Sequence, residues 1–236
     1  MSHSYYQLST GRVAAIEGDC AFPLITQALS EPNGLIAIGG DLSATRLLSA
    51  YKQGIFPWYN AGEPIMWWSP NPRMVLFPDE LKVSNSLKKT LKKNLFEVRF
   101  NTAFKEVMTA CSQSPRDGQA GTWISEDMLN AYCELHNLGY AFSMESWLED
   151  KLVGGCYGIK IGHMFYGESM FHTQTDASKV AFVHLVNQLK NAGVSMIDCQ
   201  MKTPLLVSFG GREIEREAFM QKLHDLVGAA CSREIT

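Results

Sequence analysis

Apolar and polar positions alternate along the chain in two distinct periods. Asp41 or Ser43 can cap a short helix that runs to Gln53, with Gly54 as its stop. Ahead of it, turn signals at Glu31-Pro-Asn-Gly34 and Gly39-Gly-Asp41 bracket a short apolar run, Leu35 to Ile38. Four prolines within Pro57–Pro72 oppose a long helix or a central strand there. Leu87, Leu91 and Leu95 recur every four residues and predict one apolar helical stripe. Helices are also predicted over Thr102 to Ser112 and Ser125 to Leu138, the latter with Met128, Leu129, Tyr132 and Leu135 inward.

The period then shortens to two. Tyr140 to Leu148, Leu152 to Ile159 and His163 to Phe171 read as three strands joined by the tight turns Glu149-Asp-Lys151 and Lys160-Ile-Gly162. A strongly apolar helix follows, Ala177 to Ala192, with Val180, Val183, Val186 and Leu189 in its stripe. Val194 to Cys199 reads as a buried strand, and a last helix spans Arg216 to Val227. Antiparallel strands, a crossover helix and a further strand predict an α/β (α+β) fold with a mixed sheet. The proline-rich stretch places a boundary between a small N-terminal α+β domain, 1–71, and a larger one, 72–236.

The 236 residues are 46% hydrophobic and 19% charged, enough for a buried core without disulfide or metal staples. Six scattered cysteines include no CxxC pair, so neither a zinc knuckle nor a thioredoxin-type site is written. The N-terminus lacks a signal-peptide pattern and no run of about 18 apolar residues occurs; a soluble, cytoplasmic setting is expected, with no membrane partner. A net charge of −3 excludes a protein that is basic throughout. Locally the balance differs: Leu81 to Lys93 holds five lysines and no acid. Lys88, Lys89, Lys92 and Lys93 lie off the leucine stripe, on a face that suits phosphates better than a merely solvated helix.

Two carboxylates stand where buried strands should avoid charge. Glu168 interrupts Phe165 to Phe171, and Asp198 follows the apolar end of the last strand. Strand parity would bring Asp198 and Gln200 out on one face. Glu168 and Asp198 flank the crossover helix and point to a ligand cleft at a sheet switch point. Trp58 and Trp123, in loops with Gly54 and Gly121 nearby, are candidates for stacking on a base. No GxGxxG, Walker or GxSxG motif occurs, and His172-Thr-Gln-Thr-Asp-Ala-Ser178 has no glycine run to wrap a pyrophosphate.

Several segments are recognisable as they stand. Glu31-Pro-Asn-Gly-Leu35, Gly54-Ile-Phe-Pro-Trp58, Trp67-Trp-Ser-Pro-Asn-Pro-Arg73, Gly121-Thr-Trp-Ile124, Gly167-Glu-Ser-Met-Phe171 and Ile197-Asp-Cys-Gln200 occur in this order. The chain resembles the leucyl/phenylalanyl-tRNA–protein transferases over residues 22–219. The resemblance implies a C-terminal GNAT-like acyltransferase domain. It implies transfer of Leu, Phe or Met from aminoacyl-tRNA to proteins with N-terminal Arg or Lys, which marks them for N-degron degradation. An aminoacyl ester is already activated, so no cofactor is implied. Asp198 and Gln200 correspond to the family's catalytic pair, and Glu168 is a candidate for recognising the basic N-terminus. Tyr51, Trp58, Trp123 and Tyr132 are candidate substrate-binding residues. Phe165, Met170 and Ile197 are candidates for lining the pocket of the transferred side chain, with core packing an equal account of them. Thr203 stands where the family carries an Asn, and a following His is missing. A CoA-dependent N-acetyltransferase and an inactive tRNA-binding homologue are the alternatives. A monomer is expected.

Overall fold

A computed structural model describes residues 3–114 and 124–228. In chain order it contains strands β1 (Ser4–Leu8), β2 (Gly11–Ile16) and β3 (Leu35–Gly39), helix α1 (Ala44–Lys52), and strands β4 (Phe56–Pro57), β5 (Met66–Trp68) and β6 (Arg73–Leu76). Helix α2 (Asn85–Lys92), strand β7 (Glu97–Phe100), and helices α3 (Phe104–Gln113) and α4 (Glu126–Asn137) follow. Strands β8 (Ala141–Leu148), β9 (Lys151–Ile161) and β10 (Met164–His172) lead into α5 (Ala177–Asn191) and β11 (Met196–Gln200). The chain closes with α6 (Pro204–Ser208), β12 (Arg212–Ile214) and α7 (Arg216–Gly228).

These elements build two mixed sheets. The first has strand order β1-β2-β3-β5-β4 and the second β12-β6-β11-β10-β9-β8-β7. The hairpin β1–β2 was not foreshadowed by the apolar pattern, because the residues of β1 are largely exposed. Strands β6, β7 and β12 were also unforeseen; each has only three or four residues, too few to display a period. The first sheet ends with β5 at Trp68 and the second begins with β6 at Arg73.

Helix ends follow local chemistry. Ser43, Ser84 and Ser125 cap α1, α2 and α4, each side-chain oxygen accepting a backbone N–H of the first turn. Helix α2 stops at Lys92, so Leu95, predicted as the last member of its apolar stripe, lies beyond the helix and is exposed. Helix α5 packs against β8, β9 and β10 on one face of the large sheet, with Val180, Val183, Val186 and Leu189 buried there. It approaches closely at Gly154, where a Cβ would stand 2.6 Å from the Cβ of Ala177. Helices α3 and α4 cover the other face. Among the described residues, no helix is long and apolar enough to cross a membrane.

The connection β10–α5–β11 creates the feature that positions the site. Strands β10 and β11 run parallel and pair over Met164–Met196, Phe165–Ile197 and Tyr166–Asp198, and no further. Both strands continue past that point and diverge. Each is irregular at the fork. The register of β10 on β9 shifts between Gly167 and Ser169, so Glu168 is a bulge. The register of β11 on β6 shifts between Asp198 and Gln200. Bulges re-aim side chains and end pairing, and they recur beside active sites.

Candidate active site

Glu168 projects from its bulge toward α1 and α4. The Tyr51 hydroxyl donates to its Oε1 at 2.8 Å, and the Tyr132 hydroxyl donates to Oε2 at 3.3 Å. The two tyrosine hydroxyls are also within hydrogen-bonding reach of each other, so their two protons serve three contacts while Glu168 is ionised. Both rings are fully buried, and Tyr166 donates to the backbone carbonyl of Tyr51 at 2.9 Å. Burial pushes the Glu168 carboxyl up to about 7; the bond from Tyr51 lowers it, the neighbouring Asp198 raises it, and Tyr132 and Arg73 lower it. The phenols of Tyr51, Tyr132 and Tyr166 are pushed well above their ordinary range, first by burial. Those of Tyr51 and Tyr132 therefore act as neutral hydrogen-bond donors to the carboxylate.

Asp198 is wholly buried and is not the lone carboxylate that the sequence suggested. Arg73, at the start of β6, grips it with Nε at 2.8 Å and Nη2 at 2.7 Å. The backbone N–H of Gln200 donates to Asp198 Oδ1 at 2.9 Å. Strand parity does not carry from Asp198 to Gln200, since the bulge intervenes and Gln200 takes a left-handed φ of 55°. The Gln200 Nε2 is buried with no hydrogen-bond partner. A buried amide donor left open is a place for a ligand acceptor.

Arg73 is the functional candidate that sequence reasoning overlooked. Arg73 opens β6, a strand in which every residue is buried and where an arginine requires a buried anion, but a strand of four residues shows no period that would reveal this in the sequence. Its Nη1 donates to the carbonyl of Gly54 at 3.0 Å. The rings of Phe56 and Phe219 lie 4.8 and 4.6 Å from its guanidinium carbon. Gly54 has φ +70°, and a Cβ there would stand 2.8 Å from the sulfur of Met220, so glycine is required where α7 closes on this turn.

Other predicted residues lie apart from Glu168. Phe165 and Ile197 are buried in the core beneath α5, and Met170 packs against the same core. This is the sheet face opposite Tyr166 and Tyr51. Core packing thus accounts for the burial of Phe165 and Ile197, as the sequence reading allowed. Trp58 is half-buried, edge-on to Trp68 with ring centroids 5.7 Å apart, and its carbonyl accepts the Trp68 indole N–H at 2.6 Å. Trp123 falls outside the described residues. Lys88, Lys89, Lys92 and Lys93 are exposed on α2, which rests through Leu87 on the core beneath α5. They are in no ion pair with a described residue. Thr203 accepts the N–H of Leu206 and caps α6, a task that Thr and Asn side chains both perform. Among the described residues, no group of three or more His, Cys, Asp or Glu could hold a metal.

Comparison with known proteins agrees with this picture. Residues 75–224 match the family model described as leucyl/phenylalanyl-tRNA protein transferase, and residues 40–71 match the model for its N-terminal domain. The chain is 59% identical over 214 residues to the leucyl/phenylalanyl-tRNA–protein transferase of Nitrosomonas europaea, covering 91% of this chain and 90% of the relative. It is 59% identical over 206 residues to that of Chromobacterium violaceum, covering 87% and 88%. A solved GCN5-related N-acetyltransferase from Kribbella flavida aligns over 70% of this chain and 59% of its own with a TM-score of 0.40 and 8% identity, too distant a likeness to carry an argument. With more than half of its residues matched by one family model, the chain belongs to the leucyl/phenylalanyl-tRNA protein transferase family.

Proposed function

We propose that this protein transfers Leu, Phe or Met from aminoacyl-tRNA to proteins that begin with Arg or Lys, and so marks them for degradation. The observation that carries the site assignment is the buried, unpartnered Nε2 of Gln200 where β11 stops pairing with β10, the strand that carries Glu168. The reaction is attack of the acceptor α-amine on the carbonyl carbon of the aminoacyl ester. A carbon–nitrogen bond forms, the bond to the ribose oxygen breaks, and the proton lost by the amine ends on that departing ribose oxygen as a hydroxyl.

Gln200 meets the needs of that step as a donor. A neutral amide is a poor base, but its N–H can bond the carbonyl oxygen as that oxygen gains charge. Asp198 is enclosed by Arg73 and by the Gln200 backbone, so it acts by positioning Gln200. Glu168 supplies negative charge for the cationic N-terminus of the acceptor. Its titration near 7 lies close to that of a free α-amine, about 8, which suits brief custody of the proton. The apolar face beneath α5, where Phe165, Met170 and Ile197 pack across the sheet from Tyr51, is proposed for the transferred side chain, Trp58 and Trp123 for the terminal adenosine, and the four lysines for the tRNA body.

Acyl-CoA suits the site less well. Asp176 occupies the N-terminal end of α5, paired with Lys179 at 2.9 Å and accepting from Thr90 at 3.1 Å. A pyrophosphate would meet that carboxylate where it needs free backbone N–H groups. Action as a monomer is part of the same proposal, and a tRNA donor implies the cytoplasm. The test is transfer from radiolabelled Phe-tRNA to peptides that differ only at their first residue. Label should enter peptides starting with Arg or Lys and not those starting with Asp. Absence of transfer, or acetylation of the same peptides by acetyl-CoA, overturns the reading.

A further inference from the structure

We infer that Arg73 is a positioning residue for the transfer step, acting on the reacting ester through Asp198 and the left-handed backbone of Gln200. The inference rests on the reading of Gln200 given above and adds the group that holds it in place.

Arg73 is 1% exposed and touches three segments distant in sequence. Its fork engages both oxygens of Asp198 on β11, its Nη1 reaches the Gly54 turn before β4, and the rings of Phe56 and Phe219 cover its two sides. Burying an ion pair of this kind adds little net stability, because desolvation offsets most of the attraction. What the pair does accomplish is geometric. Asp198 Oδ1 accepts from Arg73 Nε and from the Gln200 backbone N–H at once. With its rotamer fixed by the guanidinium fork, that oxygen holds Gln200 at φ 55°, a conformation unfavourable for any residue with a side chain. The side-chain amide of Gln200 then stands open in the fork.

Lysine cannot reproduce this arrangement. An ammonium is a point charge and cannot hold both carboxylate oxygens in one plane while reaching the Gly54 carbonyl. Arg73→Lys therefore preserves the buried charge and loses the geometry.

The experiment is a double-mutant cycle on the intact protein: Arg73→Lys, Gln200→Ala and both together. The readouts are kcat and KM for Phe-tRNA with an Arg-starting peptide, and the melting temperature of each variant. Arg73→Lys should lower kcat by about tenfold or more with KM for Phe-tRNA nearly unchanged. In the Gln200→Ala background the same change should alter kcat by less than about twofold, since residues that act as a unit are not additive. Equal factors in the two backgrounds, or an unchanged kcat in folded Arg73→Lys, overturn the inference about Arg73 alone. Wild-type kcat in the Gln200→Ala single variant overturns the reading of Gln200 and this inference with it. Where Arg73→Lys does not fold, Asp198→Asn keeps an acceptor for the Gln200 N–H, loses the two-oxygen hold of the guanidinium, and runs through the same cycle with the same two outcomes.

Discussion

The hydroxyl of Tyr51, on α1 of the N-terminal part of the chain, donates to Glu168 Oε1 across 2.8 Å, on β10 of the large sheet. The bond favours the charged carboxylate, whereas burial opposes it, and the balance leaves Glu168 titrating near 7. If the carboxylate must be charged to hold a cationic N-terminus, transfer should rise through pH 7 as Glu168 ionises. Tyr51→Phe removes a bond that favours the charge, so this rise should move to higher pH. Rates of wild type and variant measured from about pH 5.5 to about 9 check the direction; an unmoved profile would falsify the role of the bond.

Glu168 also links stability to pH. Its folded value lies above the ordinary carboxylate range, so its contribution is fully present in acid and is lost as pH rises through about 7. At about 1.4 kcal/mol per unit of displacement, the loss amounts to roughly 3 kcal/mol. Glu168→Gln should therefore flatten the decline of melting temperature between about pH 5 and 8. The same variant should use Arg-starting peptides about 10- to 100-fold less well, the size of a charge-assisted hydrogen bond. Calorimetry and kcat/KM on one preparation give both answers.

Asp198→Ala should damage the fold as well as the reaction. It leaves Arg73 buried and unpaired, at a cost of about 3–5 kcal/mol. Asp198→Asn keeps the shape and an acceptor for the Gln200 N–H, so it should melt closer to wild type while still slowing transfer. Urea unfolding of the two variants should separate them by at least about 1 kcal/mol; equal, unperturbed midpoints would mean that breaking the pair costs the fold nothing.

The lysine face makes a prediction about salt. Replacing Lys88, Lys89, Lys92 and Lys93 by Ala should weaken tRNA binding and flatten its salt dependence, by roughly 0.7–0.9 in log–log slope for each phosphate no longer neutralised. An aminoacyl-adenosine donor should react at a nearly unchanged rate, because none of the four lysines is among the residues proposed to hold it. The melting temperature should also hold, as the four side chains are exposed. A quadruple variant that binds tRNA with the wild-type slope leaves the lysines as a solvated face.

The sequence alone determined every helix but the five-residue α6, the three long strands and the crossover, because their periods of 3.6 and 2 persist over many residues. It marked Glu168 and Asp198 because charge in apolar runs is costly without a purpose, and Gln200 by its parity with Asp198 and the family resemblance. It missed β6 and β12, whose three or four residues show no period, and the exposed β1. Only the tertiary structure decided the partners. Asp198 meets Arg73 across 125 positions, and Glu168 meets Tyr51 across 117. Such pairings depend on which strands become neighbours in the sheet, and nothing in a local pattern encodes that. The bulges at Glu168 and after Asp198 arise in the same way, from the register of β10 on β9 and of β11 on β6. They break the alternation that parity assumes, bury Asp198 against an arginine, and leave Gln200 as the amide with an open donor.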